Sequence, residues 1–181
     1  KKIAVIGENA IKMMTVGGGS SSLKVKYETS PLDGIKARFG KNAEVNYARG
    51  YVGDVGGEYN GVKTGKDLTD KRSPAELTKE AVELAKKSDF VIFVGGLNKS
   101  DFQDSEGNDR KELGLPYNQN ELISALAKAN KNFAVLMVSG NAVAMPWVKE
   151  VPSIVQAWYL GSESGNAIAS ILAGDANPSG K

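Results

Sequence analysis

The residues in this chain best equipped for chemistry are carboxylates, and they crowd into one stretch, Gly95 to Pro116 (GGLNKSDFQDSEGNDRKELGLP). Asp101, Asp104, Glu106 and Asp109 fall within ten residues and are followed at once by a guanidinium, Arg110. Three readings suit such a run. Closely spaced acids can hold calcium, but the register of an EF-hand loop, with alternating acids, a central glycine and a closing glutamate, is missed here. One carboxyl can instead serve as a general acid. Crowded carboxylates disfavour each other's ionised forms, so one keeps its proton near neutral pH while Arg110 holds a neighbour charged. The third reading is a solvated turn. Spacing alone leaves all three open. Within the general-acid reading Glu106 stands out, because it has the longest reach and lies between Ser105 and Gly107. A polar loop of this length in a compact domain is usually functional or disordered. The single arginine argues for order, since a planar cation can grip a carboxylate bidentately.

What the chain lacks narrows the chemistry further. It contains no histidine and no cysteine. Ser-His-Asp triads, Cys-His pairs, His-bearing zinc sites, thiol catalysis, iron–sulfur ligation and disulfides are therefore excluded within it. Any acid–base step must use a carboxylate, a lysine or a tyrosine; no metal and no cofactor are expected. With 181 residues, 41% hydrophobic and 24% charged, the chain can bury the core of a single domain. Its net charge of +2 and interspersed signs, as in Lys79-Glu80 and Lys111-Glu112, give no case for a nucleic-acid or membrane partner. No window approaches the roughly eighteen consecutive apolar residues of a membrane span.

The elements that must position the acidic loop are read from apolar periodicity. Lys2–Ile6, Phe133–Val138 and the run Asp89–Val94 are continuous apolar stretches, as expected for strands buried on both faces of a parallel sheet. Glu44–Ala48 and Ser153–Trp158 read as two further strands. Between the strands lie helices. One opens at Ser30-Pro31 and stops at Gly40. A second opens at the capping box Ser73-Pro-Ala-Glu76 and carries an apolar stripe of Leu77, Ala81, Leu84 and Ala85. A third is capped by Asn118 and faces Leu122, Ile123, Leu126 and Ala129 inward, and a last one runs from Glu163 to Ala173 before Gly174. Gly50 to Arg72 is a long surface excursion with a partial strand at Gly61–Lys63. The alternation predicts an α/β three-layer sandwich, a mostly parallel sheet of five or six strands with helices on both faces. Ligands in such sheets sit outside the carboxyl ends of the strands, where the acidic loop must lie. The run Gly17-Gly-Gly-Ser-Ser-Ser22 follows the first strand but lacks a Gly-Lys-Ser/Thr ending and does not open a helix directly. It reads as a flexible turn allowing close backbone approach to a neighbour or ligand, and a flavodoxin-like nucleotide module is disfavoured.

The residues also carry a resemblance. Glu106-Gly-Asn-Asp-Arg110, Leu113-Gly-Leu-Pro116, Gln119 and Leu122-Ile123 resemble the signature of the C-terminal α/β sandwich domain of glycoside hydrolase family 3. The likeness continues through Ile3–Gly7 with Asn9-Ala10, Gly17–Ser20, Ser30–Ile35, Val138–Gly140 with Trp147, Ala157–Tyr159, Gly165, Ala167–Ala169 and Gly174-Asp175 with Asn177–Gly180. It implies that residues 1–181 form one such domain, a piece of a larger enzyme whose N-terminal barrel is missing. The activity implied is a retaining exo-β-glycosidase, most often a β-glucosidase, acting on a β-linked oligosaccharide or glycoside. Carried over by motif, Glu106 would be the catalytic acid/base and the nucleophile an aspartate of the barrel. Gly18, Gly19 and Ser20 would approach the sugar, and Asp109 and Arg110 would support the loop. The separated domain is expected to be inactive, and a secreted or periplasmic setting is favoured over a cytoplasmic one. The competing expectation is a non-catalytic carbohydrate-binding module.

Overall fold

The computed structural model describes residues 1–53, 58–59, 62–63 and 68–180. Its strands are β1 (Lys2–Ile6), β2 (Glu44–Ala48), β3 (Glu58–Tyr59), β4 (Val62–Lys63), β5 (Phe90–Gly96), β6 (Phe133–Val138) and β7 (Ser153–Gln156). Its α-helices are α1 (Pro31–Phe39), α2 (Pro74–Lys86), α3 (Gln119–Ala129) and α4 (Ser164–Ala173). Among the described residues the long strands form one five-stranded sheet in the order β2-β1-β5-β6-β7, and every pairing in it is parallel. The short β3 and β4 form a separate antiparallel pair. Val62 and Lys63 lie in the partial strand expected near Gly61, and Gly61 itself falls outside the described residues. No described helix is long and apolar enough to cross a membrane.

Continuous apolar strands fill both faces, because successive side chains point to opposite sides. In β5, Val91 and Phe93 join Ala81, Ala85, Leu122 and Leu126 in the core under α2 and α3. Ile92 and Val94 join Leu32, Ile35 and Ile168 under α1 and α4. The three layers follow directly from that alternation. On the α1/α4 face the helices touch through backbone: a β-carbon at Gly34 would sit 2.0 Å from Gly165 O, and one at Gly165 would sit 2.1 Å from Ser30 O.

Local signals fixed most boundaries. Ser30 and Ser73 accept the backbone N–H of Asp33 and Glu76, and Glu76 returns a carboxylate to the Ser73 N–H, completing the capping box. Gly174 closes α4 in the left-handed conformation. Three expectations need correction. Asn118 does not cap α3 with its side chain; its amide donates to Thr78 Oγ1 on α2 at 3.2 Å instead. β7 ends at Gln156 rather than Trp158, which turns to φ 55°. β5 begins at Phe90 and runs through Gly95 and Gly96 instead of stopping before them. The extension follows β6, with Gly95 opposite Met137 and Gly96 opposite Val138, and the Gln119 amide completes it by accepting from Gly96 N and donating to Gly96 O, both at 2.8 Å.

Candidate active site at the switch point

The strand order places the crossover reversal between β1 and β5, since β2 lies beyond one and β6 beyond the other. At such a reversal the loops leaving the two strands diverge and open a crevice at their carboxyl ends. Here those loops are the glycine run after β1 and the acidic run after β5, and they meet. Gly18 N donates to Lys99 O at 2.8 Å, and Glu106 N donates to Gly18 O at 3.3 Å. Ser20 N donates to the Glu106 carboxylate at 3.0 Å, and Ser20 Oγ donates to its other oxygen in a short hydrogen bond.

The glycine run is a built contact rather than a loose turn. Gly17, Gly18 and Gly19 all have positive φ, and β-carbons at these positions would meet Lys99 O at 2.7 Å, Lys99 Cε at 2.6 Å and the Glu106 carboxylate at 2.7 Å. Only glycine permits both the backbone sign and the approach. Glu28 holds the base of this excursion by accepting from Met14 N at 2.7 Å, Thr15 N at 3.1 Å and the Thr15 hydroxyl. Lys99 passes beneath and donates to Ser21 O at 3.1 Å; its partial burial lowers its pKa.

The acidic loop is held at several points. Gln103 is buried; its carbonyl accepts from Asn98 N at 2.9 Å and its amide donates to Tyr117 OH at 2.7 Å. Asp104 reaches across to the loops after β6 and β7, accepting from Gly140 N and Tyr159 OH, each at 2.6 Å, and from Asn141 Nδ2. Burial and the Asp104 carboxylate push the Tyr159 phenol well up, so it remains a donor. Arg110 donates to Asn141 Oδ1 and Ala142 O. Together Gly18, Ser21, Lys99, Glu106, Asp109 and Tyr159 border an open cleft of about 550 Å³.

Every residue singled out in the sequence for a role at this site is therefore at one cleft or its rim, but two of the physical expectations are corrected. Among the described residues Arg110 grips no carboxylate, its partners being an amide and a carbonyl, and Asp109 is exposed and has no hydrogen bond. Crowding does not keep Glu106 protonated either. Asp104 is satisfied by three donors on other loops, and the two Ser20 hydrogen bonds hold the exposed Glu106 carboxyl below the usual glutamate range. Asn141, Gln103 and Glu28 carry the geometry and were not marked by any motif, and Tyr159, which lay within the family resemblance, had been given no role.

A second carboxylate at this end of the sheet was also missed. Glu8, in the 3-10 turn after β1, is fully buried and paired with Arg49 at 2.8 Å and Lys12 at 3.7 Å. It also accepts from Gly53 N.

Fold and site define a doubly wound α/β sandwich whose switch-point cleft is bordered by a glycine loop and a glutamate-bearing loop. The chain belongs to the glycosyl hydrolase family 3 C-terminal domains, whose family model matches residues 1–181. It is 54% identical over 181 residues to beta-glucosidase BoGH3A of Bacteroides ovatus, a match covering all of this chain and 23% of that protein. It is 34% identical over 179 residues to thermostable beta-glucosidase B of Acetivibrio thermocellus, covering 99% of this chain and 22% of the relative. The fold superposes on the crystal structure of a Bifidobacterium adolescentis GH3 beta-glucosidase with a TM-score of 0.73 and 33% identity, covering 96% of this chain and 23% of that one. The chain thus spans under a quarter of the length of these relatives.

Proposed function

We propose that this chain is the acid/base-bearing domain of a retaining exo-β-glycosidase, a β-glucosidase in the first instance, and that Glu106 is the proton donor and acceptor. The observation that carries the reading is the position of Glu106. It is an exposed carboxyl at the strand tips, without a cationic partner among the described residues, on a loop fastened on both sides. Kinship with beta-glucosidases over the full chain supports the substrate class.

In the retaining mechanism two carboxyl groups stand about 5 Å apart. One attacks the anomeric carbon as the other protonates the departing oxygen; the second then takes a proton from the water that releases the sugar. Glu106 takes the second role, and a carboxylate of a preceding barrel domain takes the first. The Ser20 contacts that depress the Glu106 pKa are those of this chain by itself. A neighbouring nucleophilic carboxylate and the exclusion of water by a second domain both disfavour the ionised form and raise it to the range a general acid needs. Gly18, Gly19 and Ser20 bring backbone and hydroxyl groups within reach of the sugar.

The test is Glu106→Gln in the full-length enzyme. Turnover of a β-glucoside with a poor leaving group should fall on the order of 10²–10⁴-fold. An activated aryl glucoside, which leaves without a proton, should still load the enzyme, and azide should accelerate its release as a β-glycosyl azide. Unchanged turnover in the variant would overturn the assignment. Brisk hydrolysis by the 181-residue chain alone would overturn the division of labour between domains.

A further inference from the structure

We infer that Asn141 is the positioning residue for Glu106, the amide through which both anchors of the acidic loop are joined; the inference rests on the acid/base reading of Glu106. Asp104 lies two residues before Glu106 and Arg110 four after it. Neither pairs with the other. Both meet instead at Asn141, whose Oδ1 accepts from Arg110 Nη2 and whose Nδ2 donates to Asp104 Oδ1.

The chemistry of the two ends dictates the middle. A guanidinium only donates and an ionised carboxylate only accepts, so a side chain bridging them must accept at one end and donate at the other. Of the short side chains, an amide does this in one fixed orientation; flipping it would set Nδ2 against Arg110 and Oδ1 against Asp104. An aspartate at 141 could accept from Arg110 but would face Asp104 with a like charge. Asn141 is exposed, so packing does not account for it. The bridge also keeps Arg110 turned toward the loop after β6 and away from Glu106, which makes no ion pair among the described residues. Freed, that guanidinium could pair with Glu106 and hold it ionised, the wrong state for protonating a leaving group.

The decisive experiment is a polarity swap in the full-length enzyme. Asn141→Leu, Asn141→Asp and Asp104→Asn should each lower kcat for a poor-leaving-group glucoside by about 10- to 100-fold, the scale of a misplaced catalytic group. KM should change by less than about threefold, because sugar contacts are left in place. The double variant Asp104→Asn with Asn141→Asp should recover to within a few-fold of the parent. The new carboxylate at 141 accepts from both Arg110 and the new amide at 104, whose oxygen still takes Gly140 N and Tyr159 OH. Trypsin supplies an independent readout at the Arg110–Lys111 bond, which should be cut faster in the single variants and protected again in the swap. Single variants with parental kcat would overturn the inference, and so would a swap that restores neither kcat nor protection. If Glu106→Gln is inactive while the single variants are not, the positioning role fails and the acid/base reading stands. If Glu106→Gln keeps full activity, the acid/base reading itself fails.

Discussion

Two glutamates stand on the loops of neighbouring parallel strands, and the molecule treats them in opposite ways. Glu8, after β1, is fully buried between Arg49 and Lys12, and Gly53 N closes on it. Glu106, after β5, is exposed, and among the described residues its carboxylate accepts hydrogen bonds from Ser20 alone. One carboxylate is committed to holding β1, β2 and the stretch at Leu68 together, since Arg49 also donates to Leu68 O at 2.6 Å. The other faces the open cleft with no ion pair among the described residues. Position at the strand tips is therefore not enough to define a working group; a carboxyl that must exchange a proton also needs freedom from a permanent cation.

The contrast can be broken at the buried end with the largest effect. Arg49→Met leaves Glu8 buried and short of its main partner, and should lower unfolding free energy by about 3–5 kcal/mol in urea titrations. Glu106→Gln should stay within about 0.5 kcal/mol of the parent, as exposed substitutions do. Similar losses from both changes would erase the distinction drawn here. At the exposed end, Gly19→Ala should cost about 1–3 kcal/mol, because alanine is strained at φ 89°. Its methyl group would also press the Glu106 side chain out of place. A parental urea midpoint would show that the glycine loop yields freely.

The smallest effect concerns acidity. Ser20→Ala removes the hydroxyl donor, so the Glu106 carboxyl should titrate at higher pH in carbon-13 NMR. The sign for stability follows. A folded-state pKa below the unfolded one means the contact contributes fully above the unfolded value and is lost as pH falls through the folded value. The alanine variant should therefore lose less stability on acidification. An unmoved titration would assign the depressed pKa to something other than Ser20.

Much of this was legible in the residues. Phe133–Val138 could be read as a strand covered on both faces because it offers no polar side at all, and all six residues are buried. Parallel strands then fixed where loops could form a site, and Glu106-Gly-Asn-Asp-Arg110 marked the loop. The contacts that aim Glu106 were not legible. Ser20 lies 86 positions from it, and Asp104 meets Asn141 and Tyr159 across 37 and 55 positions. Loop residues have no periodicity to betray such partners. Glu8 was hidden for the opposite reason, since a glutamate following Gly7 reads as solvent-facing until Arg49, 41 positions on, is folded against it. Gln119 disguised a strand end in the same way, because a side-chain amide completed the hydrogen bonding of Gly96 that sequence assigns to backbone.

The backbone contact between Gly34 and Gly165 sets the tolerance of the whole assembly. With no side chain between them, α1 and α4 have no cushion that could compress or slide, so any methyl group added there must pry two helices apart. Thr29, which accepts from Gly165 N at 3.0 Å, sits one residue past Glu28, the anchor of the glycine excursion. A methyl group wedged between the first turns of α1 and α4 would therefore press on Thr29 and, beside it, on the Glu28 anchor of the glycine excursion.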